Sequence, residues 1–197
     1  MSKGLDTRNM IIKKSAELFN RKGYTGSAMS DVMQITGLEK GGIYRHFKNK
    51  DELAFESFEF AINVLRKRYQ AAYAQEKTIT GKLIAVLSVY ANIAEDPPLA
   101  GGCPLLNTAI DTDDTHPMLS QKAQKAMDEW LGFLESILQQ GMESGDFRKD
   151  IDVSEVAVFL TSAFEGSVMM GKLYGKSQYV KMYLNQLYHY LNSCVVN

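Results

Sequence analysis

The chain has 197 residues, 45% of them apolar, with only 2 cysteines and 4 prolines, so it can bury a real core and is neither disordered nor a disulfide scaffold. Its overall charge of −1 conceals a split, because residues 1–50 carry a net +6 and the remainder a net −7. Such asymmetry suggests a small basic head that meets a polyanion and an acidic body with another task, although a solvated basic surface has the same composition.

Nearly every periodic stretch has helical spacing, and no alternating stretch is bounded by hairpin turns, which predicts an all-α fold of about nine helices. The first runs from about Thr7 to Lys22, with an apolar stripe through Met10, Ile11, Leu18 and Phe19, and Gly23 stops it. Ser27 or Ser30 can cap a second, in which Met29, Val32, Met33 and Thr36 fall at i, i+3, i+4 and i+7 before Gly37 ends it. A third spans about Glu39 to Phe47, where Ile43 and Phe47 make an inward i, i+4 pair. A longer helix starts at Lys50 and reaches about Gln75, with Asp51 and Glu52 complementing its dipole.

The body continues with helices near Thr80–Glu95, Cys103–Asp111, Pro117–Ser144, Ser154–Leu173 and Ser177–Ser193. Asp96-Pro97-Pro98 breaks the first of these, Asp152-Val153-Ser154-Glu155 has capping-box spacing, and Gly175 separates the last two. The best apolar stretch, Leu83–Ala94, is well short of the ~18–20 residues a membrane span needs. The opening from Met1 to Ile12 has no leader pattern. The expectation is a cytoplasmic chain that meets no membrane.

The segment from Ser27 to Asp51 carries the chemistry. Two short helices joined through Gly37, with Val32, Leu38 and Ile43 apolar, have helix-turn-helix spacing. With Ile43 and Phe47 inward, Lys40, Gly41, Tyr44, Arg45 and His46 remain outside, a set suited to phosphates and base edges. A plain two-helix corner has a similar pattern, but the basic head favours DNA.

At these residues the chain resembles the TetR family of bacterial regulators, through Gly23-Tyr24, Ser27, Asp31-Val32, Gly37, Lys40-Gly41, Ile43-Tyr44, His46-Phe47, Lys50 and Glu52-Leu53. The resemblance covers the first quarter of the chain. It implies that Ser27, Tyr44, His46 and Lys50 contact phosphates while Lys40, Gly41 and Arg45 lie at the major groove. Met33 stands where the family usually has alanine, Glu39 replaces a Ser/Thr cap and should cap the helix or face away, and Gly42 replaces a small polar base reader. A second, shorter similarity, Gly101-Gly102-Cys103-Pro104-Leu105-Leu106-Asn107-Thr108, is to AcrR-like and YfiR-like members.

The resemblance further implies a DNA-binding domain over 1–50 and an effector-binding and dimerisation domain over 51–197. The expected partners are double-stranded operator DNA, a small apolar or aromatic effector, and a second copy of the chain. Aromatic and thioether side chains at Phe58, Tyr90, Met127, Trp130, Phe164 and Met169 could line an effector pocket, with Cys103, Leu106 and Asn107 beside them; at helical spacing they could equally be core. Small residues at near one-turn spacing around Ala163, Gly166 and Ser167, with Phe159 and Met170, permit close helix approach. Tyr179, Tyr183, Gln186, Leu187 and Tyr190 form a stripe on the following helix, and the two faces together make the expected dimer interface, or else intramolecular core.

Other features argue for simpler roles. Gly175-Lys176-Ser177 resembles the end of a phosphate loop, but Met170 stands where that motif needs glycine, so a helix stop and restart is expected. Asp111 to His116 lacks the glycine and glutamate of a calcium loop, and helix capping is expected. The three histidines are dispersed and no nucleophile or metal-ligand spacing is present, so no catalytic residue, metal or cofactor is expected. Cys103 near a helix N-cap could be a sensing thiol or a structural residue. The readings are a repressor released by its effector, a constitutive DNA-binding or architectural protein, and a helical-bundle enzyme or carrier.

Overall fold

The structure is a computed structural model describing residues 3–197. Met1 and Ser2, which open the stretch read for a leader, lie outside the described residues. Among the described residues there are nine α-helices: α1 Lys3–Lys22, α2 Met29–Thr36, α3 Lys40–Tyr44, α4 Lys50–Gln75, α5 Ile79–Leu87, α6 Pro104–Thr112, α7 Pro117–Ser144, α8 Val153–Tyr174 and α9 Gln178–Tyr190. A π-helical turn, Leu191–Val195, follows α9, and one isolated bridge joins Phe147 to Val196.

Several boundaries differ from the sequence reading for local reasons. Neither Ser27 nor Ser30 caps α2: the N-cap is Ala28, whose N–H donates to the Asp31 carboxylate at 2.7 Å. α5 stops at Leu87 rather than near Glu95, because Ser88 Oγ donates back to the Ile84 carbonyl at 2.7 Å and three-residue bonds such as Val89 to Val86 then tighten the chain into turns. Asp152 does cap α8, accepting from Ser154 and Glu155 N–H. Gly175 ends α8 in the left-handed region, and Ser177 is buried against Glu95, as a stop and restart requires.

The chain divides into two compact units, the described residues up to Val64 with Leu99–Gln124, and Leu65–Pro98 with Lys125–Asn197. In the first unit, Ile11, Ile12, Val32, Ile43, Phe47 and Leu53 form the core of the helix-turn-helix, with Met33 and Leu38 packed against it. Each such side chain removes apolar surface worth about 1.5–3 kcal/mol from water. Arg8 fixes α1 to α4 by a two-pronged bond to Glu56 at 2.5 Å, over the Phe47 ring.

The second unit is built around α8, whose Val156, Ala157, Leu160, Phe164 and Val168 are buried with Leu83, Leu87, Leu134, Ile137, Val180 and Leu187. Among the described residues α8, not Leu83–Ala94, is the helix long and apolar enough to cross a membrane, with a mean hydropathy of 1.3, and 44% of that window is buried inside the protein. Trp130 donates its indole N–H to Thr161 Oγ1 at 3.0 Å and lies between Tyr69 and Phe164.

Candidate nucleic-acid interface

Three physical features hold α2 and α3 as a helix-turn-helix. Gly37 ends α2 with φ of 72°, a conformation that side-chain-bearing residues rarely adopt, and its N–H donates to the Met33 carbonyl at 2.9 Å. Ile43 on α3 and Val32 on α2 are fully buried and fix the crossing. Lys14 Nζ donates to the Ile35 carbonyl at 2.6 Å, and Lys22 pairs with Asp31 at 2.7 Å, so two cations of the basic head serve α2 itself.

Burying Ile43 and Phe47 leaves Lys40, Gly41, Tyr44 and Arg45 exposed, with Tyr44 40% accessible and Lys40 Nζ 5.7 Å from its ring. His46 is half-buried beside Phe47. Exposed Lys13, Arg21 and Lys48 add to the charge of this unit. Glu39 sits at the N-cap position of α3, exposed and with no side-chain capping bond.

Two expected phosphate ligands also make bonds within their own unit. Ser27 is buried, and its hydroxyl donates to the Gly23 carbonyl at 2.6 Å, so it secures the loop before α2. Lys50 donates to the Tyr24 carbonyl at 2.5 Å, and burial is the main cause that lowers its pKa from the ordinary lysine value. An ammonium has three donors, so the bond to this carbonyl does not use its whole capacity.

The residues expected around an effector fall in both units, Phe58, Cys103, Leu106 and Asn107 in the first and Tyr90, Met127, Trp130, Phe164 and Met169 in the second. Phe58 and Asn107 line a cavity in the first unit of only about 30 Å³, room for a water molecule or two. Asn107 is engaged there in a polar knot, donating to the Asn20 carbonyl, Asn20 Oδ1 and the Gly101 carbonyl. Cys103 is at the N-cap of α6 as expected but only 2% exposed, whereas Cys194 is exposed. Leu106 and Met127 are half-buried. In the second unit Tyr90, Trp130 and Phe164 do meet, at ring separations of 5.7 Å and 5.9 Å from Phe164. Met169 is 49% exposed on α8.

The expected interface residues are partly brought together. Phe159, Ala163, Tyr183, Gln186, Leu187 and Tyr190 line a groove of about 380 Å³ between α8 and α9. Phe159 and Met170 are exposed, Gly166 is half-buried, and half-buried Tyr179 stacks on Tyr174 at 4.9 Å. Ser167 is buried within this unit and donates to the Phe164 carbonyl, and Leu187 is buried at the floor of that groove. Of the segment expected to cap, His116 does so at the start of α7, its Nδ1 accepting from Leu119 N–H at 3.2 Å, but sequence reasoning missed Asp111 as a functional candidate: its carboxylate accepts from the N–H groups of Tyr24 and Thr25 and from the Thr25 hydroxyl.

Comparison with known proteins agrees with this geometry. Residues 11–56 match the family described as bacterial regulatory proteins, tetR family, and residues 80–187 match the tetracyclin repressor-like C-terminal domain. A TetR transcriptional regulator from Chloroflexus aurantiacus is similar in structure with a TM-score of 0.95 and 39% identity, over 100% of this chain and 99% of that one. A TetR family regulator from Cytophaga hutchinsonii follows with 0.87 and 33% identity, over 95% and 94% of the two chains. The fatty acid metabolism regulator protein of Bacillus subtilis is 27% identical over 144 residues, 73% of this chain and 72% of its own.

Proposed function

The chain belongs to the TetR family of bacterial transcriptional regulators, and on that premise we propose that it is a homodimeric, cytoplasmic repressor released from operator DNA by a small apolar or aromatic effector. The observation that carries the reading is α3, whose Ile43 is buried while Lys40, Gly41, Tyr44 and Arg45 are exposed on its other face. Lys40, Gly41 and Arg45 read the major groove, and Tyr44, His46 and Lys50 hold phosphates. Ser27 acts on the DNA only through the loop it braces. The functional division is a DNA-binding part over 1–50 and an effector-binding, dimerising part over 51–197.

The effector reading is supported by the aromatic cluster of Tyr90, Trp130 and Phe164, and the dimer by the exposed face of α8 and α9. A two-fold pair of heads reads two half-sites, and an effector that changes their spacing lowers affinity. The protein needs no catalytic role to work in this way. Footprinting on the DNA flanking its own coding sequence tests the proposal, with a protected, two-fold symmetric site expected. Equal binding to every fragment would leave a non-specific DNA-binding protein, and no binding would remove the DNA reading altogether.

A further inference from the structure

We infer that Asp111 is a positioning residue for DNA recognition: from the last turn of α6 its carboxylate holds the backbone between α1 and α2, and thereby sets where the recognition helix lies. The inference rests on the DNA-binding reading of α3 and goes beyond it by naming a residue that touches no DNA.

A carboxylate in the last turn of a helix opposes the helix dipole, so its position needs compensating partners. Asp111 has three on one short loop. Its Oδ2 accepts from Tyr24 N–H at 2.7 Å and Thr25 N–H at 3.2 Å, and its Oδ1 accepts from the Thr25 hydroxyl. Gly23 makes the approach possible. It has φ of 80°, and a Cβ there would lie 2.9 Å from Asp111 Oδ1, so any larger residue would push the carboxylate away.

The opposite side of the same loop is held by a cation. Lys50, at the start of α4, donates to the Tyr24 carbonyl at 2.5 Å and lies 3.9 Å from the Tyr24 ring centroid. The peptide joining Tyr24 to Thr25 therefore has its N–H on a carboxylate and its C=O on an ammonium. Charge-assisted bonds of this kind are roughly twice as strong as neutral ones. Ser27 closes the turn by donating to the Gly23 carbonyl, and α2 begins two residues later.

A second tie lies one helical turn away. Asn107, four residues before Asp111, donates to Asn20, four residues before Tyr24. Asn107 and Asp111, four apart, share a face of α6, which thus holds α1 at Asn20 and the loop beyond it at Tyr24 and Thr25, and acts as a splint. A shift or rotation of α6 must carry the loop, and with it α2 and α3, or break both ties. Asp111 is the tie next to the recognition unit.

The test uses the full-length protein and two DNA probes of equal length, one that it selects from a random pool and one that it does not. Asp111→Ala should weaken binding to the selected DNA about tenfold or more, the scale of losing hydrogen bonds to a charged group, while binding to the unselected DNA is nearly unchanged. Amide exchange at Tyr24 and Thr25 should quicken in the same variant. Asp111→Asn, which keeps the shape and one acceptor, should fall between, and it serves if the alanine variant does not fold. An unchanged ratio of the two affinities, or an equal loss on both DNAs, overturns the inference and leaves Asp111 a stabilising contact only. A parent protein that selects no DNA overturns the reading beneath it instead.

Discussion

Lys50 and Tyr24 are joined twice, by the ammonium donating to the Tyr24 carbonyl at 2.5 Å and by its seat 3.9 Å from the centre of the ring. The ammonium is thus held at the start of α4 before any DNA arrives, and its stem has less freedom to lose on meeting a phosphate.

On this geometry Lys50→Ala should weaken binding to all DNA sequences and reduce the salt dependence by about one phosphate. Arg45→Ala should instead cost roughly 1–3 kcal/mol on the preferred sequence and relax discrimination. Titrations of both variants at several salt concentrations separate the two roles. If Arg45→Ala lost affinity equally on every sequence, Arg45 would be a phosphate contact and not a base reader.

The Tyr24 hydroxyl donates to Asp51, and its pKa is pushed up to about 12, chiefly by burial and then by that hydrogen bond. Its ordinary value is 10.0, so the phenol loses its proton first in the unfolded chain. The stabilisation is therefore fully present below about pH 10 and lost as pH rises toward 12. Because the ring is partly exposed, solvent screening reduces the contribution to about 1 kcal/mol. Urea unfolding of the parent and Tyr24→Phe should show a parental advantage at pH 9 that shrinks by pH 12. Tyr183, whose pKa burial also raises, is present in both proteins and cancels from the difference. A constant advantage across that range would mean that the Tyr24 proton contributes nothing.

Local chemistry was readable in the sequence, and distant partnerships were not. The spacing of Val32, Gly37 and Ile43 announces the helix-turn-helix, because burial and a left-handed glycine act within a few residues, and Pro117–Ser144 is a helix to the residue. Asp111 looked like a helix cap because its partners lie 86 and 87 residues away. The knot of Asn107 with Asn20 spans 87 residues and was hidden for the same reason. At Ser27 a family position names the residue but not the partner of its hydroxyl, here the carbonyl of Gly23. Apolar periodicity likewise cannot distinguish Trp130, buried among aromatics, from Met169, exposed on α8.

The thiols should react in the order of their exposure. Cys103 has an N-cap position that favours a thiolate, but it is 2% exposed, while Cys194 near the C-terminus is open to solvent. A mild alkylating agent should therefore modify Cys194 first, with Cys103 reacting only as the protein opens. Mass spectrometry of a time course, with Cys194→Ser as control, measures both. Rapid labelling of Cys103 in the folded Cys194→Ser variant would revive it as a sensing thiol.

The dimer face can be probed at a position where the single chain has room. A Cβ added at Gly166 would meet nothing within 4 Å, so Gly166→Glu can be accommodated by the protomer without disturbing its core. Tyr183 is a poorer choice, since its hydroxyl is tied to the Leu160 carbonyl at 3.4 Å and a charge there would damage the fold itself. Phe159 and Met170, on the same helix as Gly166, present apolar surface that a partner copy would cover. A carboxylate placed on that face loses hydration when two copies meet, and facing its own symmetry mate it is also repelled by a like charge. Gly166→Glu should therefore sediment as a folded monomer, with thermal stability lowered only by the lost association. Its operator affinity should fall steeply because one head alone reads one half-site. A variant that sediments like a dimeric parent would move the interface away from this face of α8, and a parent that is itself monomeric would remove the two-fold mechanism.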